Sequence, residues 1–98
     1  MRRSVSLSKM AAQKLAAIEQ WYRQPGAGPA AARRVQTILA AIDRLEHFPY
    51  IGRDGDIPGT RELTAQDHRI VYEIITVNGT QKTEGDIVVL NVLGPGEP

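Results

Sequence analysis

Residues 52–63 read GRDGDIPGTREL. Three glycines, a proline and three acids precede or interrupt Thr-Arg-Glu-Leu, and the stretch divides the chain into two halves of different periodicity. On its N-terminal side apolar residues recur every three or four positions, which is the period of a helix. On its C-terminal side they recur every second position, which is the period of a strand. The segment therefore reads as a turn that delivers the chain from a helical layer to a sheet. Pro58 stiffens the approach, and Gly52, Gly55 and Gly59 permit backbone shapes that other residues resist.

Working back from the turn, Phe48-Pro49 ends a helix, because the residue before proline avoids the helical region. That helix carries Ala31, Val35, Ile38, Ile42 and Leu45 at alternating spacings of four and three. Pro29 suits its first turn, where a missing N–H costs nothing. QPGAGP (24–29) separates it from an earlier helix whose stripe is Ala11, Leu15, Ile18 and Tyr22, with Ser8 placed to cap its N-terminus. Glu19 and Arg23 stand one helical turn apart and can pair. Two amphipathic helices joined by a short turn form an antiparallel hairpin, and Ala30, Ala31, Ala32, Ala40 and Ala41 allow close approach. Before them, Arg3 to Leu7 alternates as a short strand.

Working forward, three strands are expected at Thr60–Thr64, His68–Val77 and Asp86–Leu93. Ala65-Gln66-Asp67 is read as the first connection. Asn78-Gly79 is a strong turn signal, and NGTQKTEGD (78–86) reads as a mobile loop. The expected order is β-α-α-β-β-β: an α+β fold, with the helical hairpin covering one face of a small antiparallel sheet and leaving the other face or an edge open. Ninety-eight residues are read as a single domain spanning 1–98.

Composition narrows the function. There is no cysteine, hence no disulfide framework or thiolate chemistry, as suits a reducing, cytoplasmic setting. MRRSVSLSKMAAQKL has no continuous apolar run, and no stretch approaches the length of a membrane span. The net charge of +1 is unevenly divided: residues 1–49 hold eight Lys/Arg against three Asp/Glu, and residues 50–98 hold four against eight. An acidic second half argues against direct nucleic-acid binding.

The chain lacks the motifs of metal, phosphate and nucleophilic sites, so no metal, cofactor or catalytic residue is expected. His47 reads as a helix-end cap and His68 as a strand residue beside a turn. Arg53, Arg61 and Arg69 are three of the four basic residues in the second half. Arg61 and Arg69 fall on adjacent strands and are expected to approach one another. Two readings stand for them: a paired guanidinium site for carboxylates or phosphates, or local pairing, as of Arg61 with Glu73. Arg53 reads as a partner of Asp54 or Asp56. Trp21 is read as packing against the second helix or the QPGAGP turn, with an exposed interface anchor as the alternative.

Taken in order, these pieces resemble the ParE branch of the ParE/RelE toxin superfamily. The resemblance rests on SLSKMAAQKLAAIEQWY, then AARRVQTILAAIDRLEHFP, Gly52-Arg53, Gly59-Thr60-Arg61-Glu62-Leu63, Arg69-Ile70-Val71-Tyr72 and IVVLNVL, and covers residues 3–93. It implies a cognate antitoxin that wraps the toxin through a C-terminal segment, forming a hetero-oligomer. It implies DNA gyrase as target, inhibited by binding. Arg61, Arg69, Trp21, Tyr72 and Arg53 become candidate antitoxin- or target-binding residues. The RelE-like alternative, a ribosome-dependent messenger RNA endoribonuclease, needs basic residues that this chain lacks: Glu62 stands where one would help, and LGPGEP follows the last strand. A third alternative is a family member that binds its antitoxin without being toxic, since Gly94 replaces the histidine that many ParE-like chains carry there.

Overall fold

The computed structural model describes residues 4–77 and 80–97. Its elements are β1 (Val5–Leu7), α1 (Lys9–Tyr22), α2 (Gly28–Arg44), β2 (Arg53–Asp54), β3 (Arg61–Ala65), β4 (His68–Val77) and β5 (Thr80–Leu93). The expected order holds, with the two-residue β2 added at one edge. Arg3, expected at the start of β1, lies outside the described residues.

Ser8 performs two tasks at the start of α1. Its Oγ accepts a hydrogen bond from the Ala11 N–H at 3.0 Å and donates one to the Leu90 carbonyl at 2.8 Å. The first caps the helix; the second ties its N-terminus to β5. Pro29 sits in the first turn of α2, as its missing N–H favours.

The strands form one five-stranded sheet in the order β1-β5-β4-β3-β2. The β2–β3, β3–β4 and β4–β5 pairs are antiparallel, but β1 runs parallel to β5, with Val5 opposite Ile87 and Leu7 opposite Val89. The sheet is thus mixed. Tight turns force the meander strands to alternate, whereas β1 and β5 are separated by most of the chain, so no turn dictates their relative direction.

The segment 78–86 is not a loop throughout. β5 begins at Thr80, with Val77 opposite Thr80 and Thr76 opposite Glu84. Its polar sequence suggested a loop because alternation reports burial, whereas a strand needs only backbone pairing. Asn78-Gly79, the turn signal itself, lies outside the described residues.

Both helices lie on one face of the sheet. Ala11 and Leu15 of α1, Ile38 and Ile42 of α2, and the following Leu45 meet Ile70, Tyr72, Ile87, Val89 and Val92 in one cluster. Each large apolar side chain so buried contributes about 1.5–3 kcal/mol. No helix among the described residues is long and apolar enough to cross a membrane.

Candidate interaction surface

The 52–63 segment is held by close backbone approaches rather than by freedom alone. A Cβ on Gly52 would stand 2.7 Å from both the Glu62 carbonyl and the Tyr72 hydroxyl. On Gly55 it would stand 2.3 Å from Thr60 Oγ1, which is itself fixed by donating to the Ile57 carbonyl at 2.6 Å. Only Gly59 of the three has a left-handed backbone, at φ +87°.

Tyr72 closes this turn from below. Its ring is fully buried, and its hydroxyl donates to the Pro49 carbonyl at 2.7 Å while accepting from the Gly52 N–H at 2.9 Å. Burial raises its pKa, opposed in part by the Gly52 hydrogen bond and the nearby Arg61 charge. Tyr72 therefore anchors the turn and presents nothing to a partner, which corrects its reading as a binding residue.

The two arginines do not come together. Arg61 pairs across the ladder with Tyr72, on the helix-covered face, while Arg69 pairs with Thr64. Arg61 and Thr64 are an odd number of residues apart, so Arg61 and Arg69 project from opposite faces. The expectation that they approach fails on one residue of turn length. Treating 65–67 as the connection puts them on one face; the ladder instead closes at Ala65 opposite His68, leaving the two-residue turn Gln66-Asp67. A one-residue slip inverts every side chain.

Arg61 donates to the Gly52 carbonyl at 2.6 Å, lies 4.8 Å over the Tyr50 ring and stands 4.0 Å from Asp54, not from Glu73. Arg69 lies on the uncovered face. It reaches buried Glu62 at 3.5 Å and Asp56 at 3.8 Å, and donates to the Glu97 carbonyl at 2.8 Å. Glu62 also accepts the Asp56 N–H at 3.2 Å. Arg53 is exposed in β2, opposite Glu62 in the ladder. Trp21 lies beside Gln24 and Pro25 of the turn and Arg34 of α2, and it is 65% exposed there.

Around the Arg69–Glu62 pair the uncovered face forms a groove of ≈ 400 Å³. Met10, Ile57, Val71, Leu90 and Leu93 line it together with Asp56, Glu62 and Arg69. Of its walls only Arg69 is among the binding residues expected from the sequence. Ile57, the one large apolar residue within DGDIPG, was the available signal: an apolar side chain in a polar turn has no core of its own to enter.

The family comparison agrees with this architecture. The model of the ParE toxin of type II toxin-antitoxin systems, parDE, matches residues 5–95. A solved structure described as the chromosomal ParDE TA system from P. aeruginosa shares the fold at a TM-score of 0.72, with 24% identity over 95% of this chain and 96% of that one. No curated protein sequence matches the chain. A match that begins at β1 and ends beyond β5 spans both the helical hairpin and the whole sheet, and on that evidence the chain belongs to the ParE toxin family of type II toxin–antitoxin systems.

Proposed function

We propose that the chain is a toxin that inhibits DNA gyrase by binding it and that a cognate antitoxin neutralises. The observation that carries this reading is the family match over residues 5–95. The engagement of the sheet arginines supports binding over RNA cleavage. Arg69 is occupied by Glu62, Asp56 and a backbone carbonyl, and Arg61 by Gly52, Tyr50 and Asp54. A metal-free ribonuclease must neutralise a developing phosphorane charge; guanidinium groups already committed to carboxylates serve that poorly.

An apolar groove on the uncovered face suits the antitoxin, because such surfaces take helices or strands of a partner. The test is induction of the chain alone in bacteria, with gyrase-linked DNA cleavage and messenger RNA cleavage assayed side by side. Growth arrest with DNA cleavage is expected, reversed by co-expression of a cognate antitoxin. RNA cleavage without DNA damage would overturn the gyrase assignment.

A further inference from the structure

A second hollow lies where α1 ends, on the face of the sheet that the helices cover. Ala17, Ile18, Trp21 and Tyr22 of α1, His68 at the start of β4 and Pro95 after β5 enclose ≈ 340 Å³. The Tyr22 and His68 rings meet edge to face, 6.4 Å between centroids. His68 is the buried polar member, with 5% of the residue exposed. Its Nδ1 lies 2.7 Å from the Gln66 carbonyl. A carbonyl only accepts, so Nδ1 carries the proton, and the neutral ring leaves Nε2 as an acceptor. Among the described residues nothing donates to Nε2. The Nε2–Cδ2 edge faces Gly94, where a Cβ would stand 3.9 Å from both atoms. Gly94 has no side chain to cover that edge, and Pro95 beside it is a wall of the hollow. A buried acceptor without a donor is costly, so the hollow presents a preformed acceptor among apolar and aromatic walls.

Charge decides which donor fits. No Asp, Glu, Lys or Arg lines the hollow. Around it, Lys14 pairs with Glu97 and Arg23 with Glu19, Asp67 is exposed in the turn before His68, and Arg34 borders the other side of Trp21. An ammonium or guanidinium entering would lose water and meet no carboxylate in the walls. A neutral ring carrying an O–H or N–H loses less and packs against Trp21 and Tyr22. Ala17, Trp21 and Pro95 are exposed, so the hollow is wide-mouthed. It would leave a free small molecule poorly enclosed, whereas a side chain on a protein surface gains further contact from exposed Trp21.

We infer that this hollow binds a tyrosine or tryptophan side chain of a partner protein, the ring packing on Trp21 and its O–H or N–H donating to His68 Nε2. The site is on the opposite face of the sheet from Arg69, and it stands whether or not gyrase is the target.

The test titrates the full chain with the N-acetyl amides of tyrosine, tryptophan, phenylalanine and lysine, followed by the Trp21 indole and Gly94 amide resonances. The tyrosine and tryptophan amides should give saturable shifts with dissociation constants of about a millimolar, as for ligands this small. Phenylalanine should bind about three- to tenfold more weakly than tyrosine, as loss of one neutral hydrogen bond implies. Ala17→Leu fills the hollow from an exposed helical position and should abolish the shifts. His68→Asn keeps an amide donor for the Gln66 carbonyl but withdraws the Nε2 acceptor, so tyrosine should fall to the affinity of phenylalanine; a merely structural role for His68 would not close that gap. Absence of saturable shifts, equal binding of phenylalanine and tyrosine to wild type, tighter binding of lysine, or indifference to Ala17→Leu would overturn the proposal.

Discussion

Tyr72 shows how one side chain couples the core to the surface turn. Its hydroxyl satisfies both a carbonyl and an N–H in a buried position, so Tyr72→Phe strands two backbone groups at once. The expected cost is about 1–3 kcal/mol, read as a lower denaturation midpoint at unchanged slope; an unchanged midpoint would mean that water or another donor replaces the hydroxyl. The same group adds a pH dependence. Its folded-state pKa is raised above the ordinary value of 10.0, so the folded protein holds this proton more tightly than the unfolded chain. The associated stability is complete below the unfolded pKa and is lost as pH rises from there through the folded pKa. Alkaline unfolding should therefore be less steep in Tyr72→Phe than in wild type. Arg69 poses a different residue-level case. It is the guanidinium that neutralises buried Glu62, and Arg69→Ala leaves that carboxylate the Asp56 N–H but not this ion pair. Because Arg69 is itself partly exposed, the cost falls below that of a fully buried pair, at about 1–3 kcal/mol. Arg61→Ala, whose charged partner is the exposed Asp54, should cost about 1 kcal/mol or less through that pair. Thermal melts of each variant against wild type check both; an unchanged midpoint in Arg69→Ala would show that the Glu62 pair contributes nothing beyond a surface contact.

The β3–β4 hairpin is the element on which the candidate site turned. Gln66 and Asp67 both have positive φ, 50° and 61°, the signature of the tight turn that matches strand twist. Asparagine and glycine are the residues that turn prefers, and glutamine has no local means of relieving the left-handed backbone. Replacing Gln66-Asp67 with Asn-Gly should stabilise the protein by roughly 0.5–1 kcal/mol, measured by chemical denaturation. A loss of stability would place a needed contact on Gln66 or Asp67 beyond the Gln66 carbonyl that His68 Nδ1 engages at 2.7 Å. This atypical turn also explains where sequence reading stopped. The helices were legible because Leu15, Ile38 and Ile42 repeat with the helical period, and Ser8 and Pro29 mark their starts. The core strand was legible because Ile70, Tyr72 and Ile74 alternate. Ala-Gln-Asp carries no hairpin signature, so its length is not legible to one residue, and that residue decides whether Arg61 and Arg69 share a face. Ile57 and Met10 escaped for another reason: the groove joins residues from the start of α1, a turn and three strands, and such a juxtaposition has no period.

At the scale of the whole molecule, the segment after β5 fastens three parts of the fold together. Glu97 accepts the Gly94 N–H at 2.8 Å and pairs with Lys14 of α1 at 2.5 Å, while its carbonyl receives Arg69 of β4. The chain after β5 thus bridges the helix layer and the uncovered face of the sheet. The Lys14 hydrogen bond first, and the Gly94 N–H second, hold the Glu97 carboxyl below the usual carboxylate range. A depressed folded-state pKa means that the interaction is complete above the unfolded value and disappears as pH falls through the folded one. The clasp should therefore stay closed at neutral pH and open only in acid. Opening would be seen as a shift of the Gly94 amide resonance, with a change in the Lys14 side-chain resonances, as Glu97 takes up its proton. Glu97→Gln keeps an acceptor for Gly94 but has no charge to lose, so its Gly94 resonance should not titrate in that range. If the wild-type amide is equally indifferent to pH, Glu97 does not fasten this segment. If Leu93 and Arg69 resonances shift with Gly94, then the groove on the uncovered face feels the clasp through the Arg69–Glu97 hydrogen bond.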